Sequence, residues 1–186
     1  MKVIRVLFFL IAGCYGQATY GAGDINITYG IREGGHQSTD FSGFALGIQA
    51  DFNLAGLPLY ASIGKRSSVD YSFGDYATYY SKITDHTVGL KLMPQSGLIR
   101  PYLGLGFARV REGFKTESTS EYVDSVYGHA YSNGRYVDIG ALFNISRFIN
   151  VGLDIHAIRG TSMVLNGISA SANSTVGSVF VGYHWN

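Results

Sequence analysis

The chain has 186 residues, 15% of them charged, and a formal net charge of +1, so its size fits one domain and its charge offers no case for nucleic acid. A content of 25 Gly, 14 Tyr and 11 Phe marks a β composition rather than a helical one. No apolar run reaches the roughly 18–20 residues that a membrane helix needs, and the single cysteine, Cys14, excludes an internal disulfide.

The opening stretch MKVIRVLFFLIAGCYGQA reads as an export signal over residues 1–18. Lys2 and Arg5 supply positive charge, residues 6–13 an apolar core, and Gly16, Gln17 and Ala18 small or short side chains at a cleavage site. The alternative, a first buried strand, is disfavoured because nothing polar alternates through VLFFLIAG. Cys14 follows Ile11, Ala12 and Gly13, a run similar to a lipoprotein processing box, so Cys14 is either lipidated or removed with the signal. Residues 19–186 form the mature domain.

Past the signal, eight segments alternate apolar and polar residues with the period of a strand: 24–32, 41–52, 57–66, 81–93, 99–109, 132–144, 149–159 and 174–185. Most match the roughly 9–11 residues that a tilted strand needs to cross a bilayer. The joints sort by parity. Residues 53–56, 94–98 and 145–148 make short turns, whereas 33–40, 67–80, 110–131 and 160–173 read as longer polar loops. Short turns at one end and long loops at the other is the arrangement of bacterial outer-membrane barrels.

Facing separates the side chains sharply. One face carries Ile25, Ile27, Tyr29 and Ile31, and later Leu103, Leu105 and Phe107. The other carries Asp24, Arg32, Asp51, Arg66, Asp85, Lys91, Arg100, Asp138, Asp154, His156 and His184, with glycines between. A soluble sandwich needs one core for all the aliphatic rows, whereas a membrane barrel turns them to lipid. The export signal favours the barrel: all-β, eight-stranded, antiparallel and up-and-down, with both termini in the periplasm and no peptidoglycan-binding domain after it.

The inward charges nearly balance, and confined charges pair to offset desolvation. Eight strands enclose only enough width for side chains to fill, so a plugged polar interior is expected over a narrow porin. Tyr29, Phe52, Phe107, Phe143, Phe148, Tyr183 and Trp185 are candidates for the interfacial girdles. In the second long loop, YSFGDYATYY concentrates Tyr71, Phe73, Tyr76, Tyr79 and Tyr80. That patch stands at headgroup level, contacts a partner, or packs on itself. Arg109, Arg111 and Lys115 fall near the outer rim, where cations attract lipopolysaccharide phosphates.

On the two-strand unit RYVDIGALFNISRFINVGLDIHA and the terminal STVGSVFVGYHWN, the chain resembles the small eight-stranded OmpA/OmpX-like outer-membrane β-barrel superfamily. The resemblance spans residues from about 20 to 186 and implies an outer-membrane location, contact with outer-membrane lipids, and recognition of the last strand by the barrel-assembly machinery. Asn186 after Trp185 departs from the family's aromatic ending. Members range from structural or adhesive proteins, which bind surface ligands through long loops, to lipid-modifying enzymes. The stretch GHAYSNGR resembles the His-x-Ser-Asn motif of outer-membrane lipid A deacylases, with His129 and Ser132 as the counterparts of base and nucleophile. Here the spacing is three, which turns the two to opposite faces of a strand unless a bulge intervenes. The five histidines show no ligand spacing and no phosphate loop occurs, so neither metal nor cofactor is expected. A structural or surface-interactive barrel is the leading expectation, with the deacylase-like enzyme and the narrow porin as alternatives.

Overall fold

The computed structural model describes residues 22–34, 42–73, 77–118, 126–165 and 168–185. Ten strands follow in chain order: β1 (Gly23–Gly34), β2 (Ser42–Asn53), β3 (Leu59–Phe73), β4 (Ala77–Leu92), β5 (Ile99–Ser118), β6 (Val126–Asn144), β7 (Ile149–Arg159), β8 (Ser162–Leu165), β9 (Ile168–Ser171) and β10 (Ser174–Trp185). Eight close into an antiparallel barrel in the order β1-β10-β7-β6-β5-β4-β3-β2, and β1 bonds to both β2 and β10. Closure leaves no unpaired edge, the condition for placing backbone polar groups in hydrocarbon.

Alternation decides which face meets what. Leu105 is 61% exposed and Phe107 67% on the outside, while Arg32, Asp85 and Arg100 inside are 0% exposed. An outward aliphatic surface of this extent around a charged interior is the inverse of a soluble protein and suits lipid. At the short-turn end the outward rings form a run: Phe148 stacks on Tyr183 at 6.0 Å, Tyr183 on Trp185 at 6.2 Å, and Trp185 meets Phe52 edge-on at 6.2 Å. Further along the same wall Tyr29 stacks on Phe44 at 6.0 Å.

The short turns are held by their own side chains. Asn53 donates to the Leu57 carbonyl at 2.5 Å and accepts from the Gly56 amide at 2.8 Å, while Ala55 and Gly56 take positive φ. The Ser146 hydroxyl accepts from the amides of Phe148 and Ile149. Asn144 donates to the Gly97 carbonyl at 2.8 Å, tying two neighbouring turns together.

The opposite end differs from the sequence reading. Residues 67–80 and 110–131 are not loops for most of their length. β3 and β4 stay paired out to Phe73 and Thr78, with Tyr71 opposite Tyr80, and β5 and β6 stay paired out to Thr116 and Val126. Strand pairing continues because Ser, Thr, Tyr and Val supply β propensity even where alternation weakens. The aromatic patch is therefore carried by a hairpin; Tyr76 lies outside the described residues, as do the export signal and Cys14. Likewise, the stretch 160–173 contains the small hairpin β8–β9, anchored where Thr161 donates from its amide and hydroxyl to Asn173.

Inside, three large rings each sit directly opposite a glycine on the next strand: Tyr102 faces Gly140, Tyr136 faces Gly106, and Phe180 faces Gly152. The missing Cβ gives each ring its space. A methyl group at Gly152 would run into the Phe180 ring and the Ala141 carbonyl, whereas one at Gly177 meets nothing within 4 Å. Gly152→Ala should therefore cost roughly 1–3 kcal/mol by overpacking, and Gly177→Ala under about 0.5 kcal/mol. Urea unfolding midpoints of the refolded variants in one detergent check the contrast; equal midpoints refute the interlock.

Candidate functional site

Two regions concentrate chemistry, the lumen and the outer wall above the aliphatic belt. In the lumen each Arg or Lys reaches a carboxylate on another strand. Arg100 on β5 donates to Asp24 on β1 at 2.6 Å, and Asn150 and His184 meet the same oxygen at 2.9 and 3.0 Å. Arg66 on β3 donates to Asp154 on β7 at 2.7 Å and to Gln49 at 3.0 Å, while Ser178 donates to the other oxygen of Asp154. Both pairs join strands four places apart around the barrel, that is, opposite walls. Arg32 on β1 pairs with Asp85 on β4 and donates to Ser174 at 3.2 Å.

Lys91 sits between two carboxylates, 2.8 Å from Asp51 and 3.8 Å from Asp138, with its ammonium 4.0 Å from the centroid of the Tyr102 ring. Asp138 also lies 3.7 Å from the imidazole of His156, which stacks on Tyr136 at 4.8 Å. These residues come to one lumen because the period of two puts every one on the inner face. Apolar groups are interleaved with them in two clusters: Tyr60, Met93, Tyr102, Leu142 and Phe180 form one, with Tyr60 the register partner of Lys91 and Leu142 that of Arg100. Ile83, Ala108, Val110, Ala130, Ile158 and Ala172 belong to the other. Sequence reasoning missed these inward apolar and aromatic groups, although Tyr136 and Leu142 share the parity of Asp138.

On the outside, Arg109 and Arg111 are exposed on β5, their guanidinium carbons 5.1 and 5.7 Å from the ring centroid of Tyr131 on β6. Lys115 lies further along β5, its side chain outside the described ones. His129 and Ser132 leave β6 on opposite faces: the imidazole is exposed and edge-on to Tyr131 at 5.5 Å, whereas Ser132 is buried. A serine nucleophile needs its base within hydrogen-bond reach, and this strand separates the two. Among the described residues no cluster of metal-ligating side chains occurs.

Solved structures share this architecture. Ail, the attachment invasion locus protein of Yersinia pestis, in a complex with the heparin analogue sucrose octasulfate, matches with a TM-score of 0.61 at 11% identity, over 88% of this chain and 98% of Ail. The chain has the fold of the small outer-membrane barrels. A major outer membrane protein from Thermus thermophilus matches at 0.54 and 10% identity, over 87% of this chain and 98% of that one. OprG from Pseudomonas aeruginosa matches at 0.53 and 13% identity, over 89% and 93%. No family model matches, and neither does any curated protein. The fold and its lipid-facing belt place this barrel in the bacterial outer membrane.

Removing one partner of a luminal pair leaves the other charged and buried. Arg66→Met should destabilise the barrel by about 3–5 kcal/mol, and Arg66→Met combined with Asp154→Leu should recover most of that loss. Urea unfolding in detergent measures both, and a double variant no better than the single one shows that the pair is not the determining contact.

Proposed function

We propose that this barrel is closed and does its work at the outer surface, as an envelope or surface-interaction protein rather than a porin or an enzyme. The observation that carries the reading is the set of ion pairs from opposite walls that meet across the lumen. A conducting path requires those side chains to withdraw together, and the apolar clusters packed among them add a second obstacle.

The parts built outward are the β3–β4 and β5–β6 hairpins and the cations at their base. Arg109 and Arg111, held beside Tyr131, with Lys115 further out, suit phosphate groups of lipopolysaccharide. Ail, similar in fold, has been crystallised with a polysulfated sugar, which is consistent with an anion-binding rim in barrels of this shape. Assembly through the barrel-assembly machinery belongs to the same reading, with β10 as the recognised strand.

Two measurements test it. In planar bilayers the refolded protein should give no stepwise conductance; regular single-channel steps would restore the porin. Arg109→Gln, Arg111→Gln and Lys115→Gln together should weaken lipopolysaccharide association by at least roughly tenfold, since each cation near a membrane surface contributes about 1 kcal/mol. Unchanged association removes the rim from the function.

A further inference from the structure

Cations on the outer wall are distributed to one side. Exposed Lys65, Lys82, Arg109, Arg111, Arg135 and Arg159 all lie on β3–β7, and among the side chains described on those strands, which on β5 end at residue 113, no exposed one is acidic. The remaining wall, β10–β1–β2, has Glu33 as its exposed charge among the described residues. Inside the barrel acids and bases are interspersed, so this segregation is confined to the surface that faces the membrane.

Below that arc the wall is indented. An open groove of about 690 Å³ crosses β2 to β6, with Ile48, Ile63, Val88 and Phe107 along its apolar part. Its polar side is Lys65, His86 and Arg109, which are consecutive register partners on β3, β4 and β5. Ala50 on β2, opposite Ile63, leaves the apolar part wide because its side chain is a single methyl. An acyl-chain trough on a membrane-facing wall, with a row of cationic and donor side chains at its rim, has the chemistry of a phosphorylated lipid. The apolar part matches hydrocarbon, and the Lys and Arg match phosphate oxygens with charge-assisted hydrogen bonds.

We infer that this groove is a seat for one phosphorylated, acylated lipid of the outer leaflet, of the lipid A class, with phosphate at Lys65, His86 and Arg109 and an acyl chain along Ile48, Ile63, Val88 and Phe107. The inference rests on the surface-binding reading above and gives it a defined, stoichiometric site. The rest of the arc attracts neighbouring headgroups without fixing them.

Native mass spectrometry of the detergent-refolded barrel, titrated with diphosphoryl lipid A, reads the seat directly. The wild-type protein should retain one lipid, and lipid A stripped of phosphate should bind at least roughly tenfold more weakly. Lys65→Gln should weaken binding about fivefold, the loss of one surface cation. Ala50→Phe fills the trough without altering charge and should weaken binding by a similar factor. Both side chains point away from the lumen, and the heat-dependent gel mobility of a folded barrel verifies that each variant is intact. If lipid A binds Ala50→Phe and Lys65→Gln as tightly as wild type, the seat is refuted. Should the triple rim variant still lose association in that case, the surface reading stands without it. If inorganic pyrophosphate displaces lipid A at equal concentration, the site takes a free anion and the lipid assignment fails.

Discussion

The cross-lumen ion pair is the constraint on which the rest of this structure depends. Eight strands make a tube too narrow for bulk water and wide enough that side chains from facing walls touch. An arginine that projects inward therefore ends beside whatever the opposite wall presents. Here that is a carboxylate: Asp24 for Arg100 and Asp154 for Arg66. Each such pair fixes two strands that are far apart around the barrel, and so restrains both the shear and the roundness of the cylinder. Additional donors converge on the same carboxylates, Asn150 and His184 on Asp24 and Ser178 on Asp154, so the desolvated oxygens have more than one partner. A water-soluble protein keeps such charges at its surface; here the surface must be apolar, and the interior holds them.

Packing between the pairs follows the same geometry. The ion pairs do not fill the lumen alone, and rings pack among them only where the facing strand yields. Tyr102 over Gly140 and Phe180 over Gly152 are that compromise: a glycine weakens its own strand, and the ring on the neighbouring strand covers the gap. The sulfur-containing side chain of Met93 joins the same cluster from the turn after β4. The interior is thus a lumen in which apolar clusters and ion pairs are interleaved, and the pairs depend on the apolar groups beside them to keep bulk water out.

Much of this was legible in the sequence, for an identifiable reason. A period of two assigns every side chain to one of two faces, and charge then says which face is inside, so Asp51, Lys91 and Asp138 were assigned to one interior without coordinates. Who pairs with whom was not legible. Partners across a lumen depend on strand tilt and shear, which the register of all eight strands sets jointly, and no local pattern carries that. Hairpin length was misjudged for a related reason. Beyond Lys65 and Arg109 the outward row turns largely polar, with Ser67 on β3, Lys82 and Thr84 on β4 and Arg111 on β5, because the strands have left the hydrocarbon, but their backbone pairing continues into water. Loss of alternation marks the membrane boundary, not the end of the strand.

That boundary is uneven around the barrel, and the unevenness bears on how the protein sits among lipids. On β1 and β2 the apolar row runs outward to Ile31 and Phe44, whereas on β3, β4 and β5 it gives way to Lys65, His86 and Arg109. In the antiparallel register Phe44 is opposite Val69, two outward-facing positions beyond Lys65. One wall therefore offers hydrocarbon where the other offers charge. Lipids on the basic side meet cations that bind phosphate, and those on the far side meet rings and branched aliphatic side chains. The longer β3–β4 and β5–β6 hairpins rise on the same basic side. The outward-facing side chains and these hairpins together give the barrel two unlike sides, and with them a preferred set of neighbours.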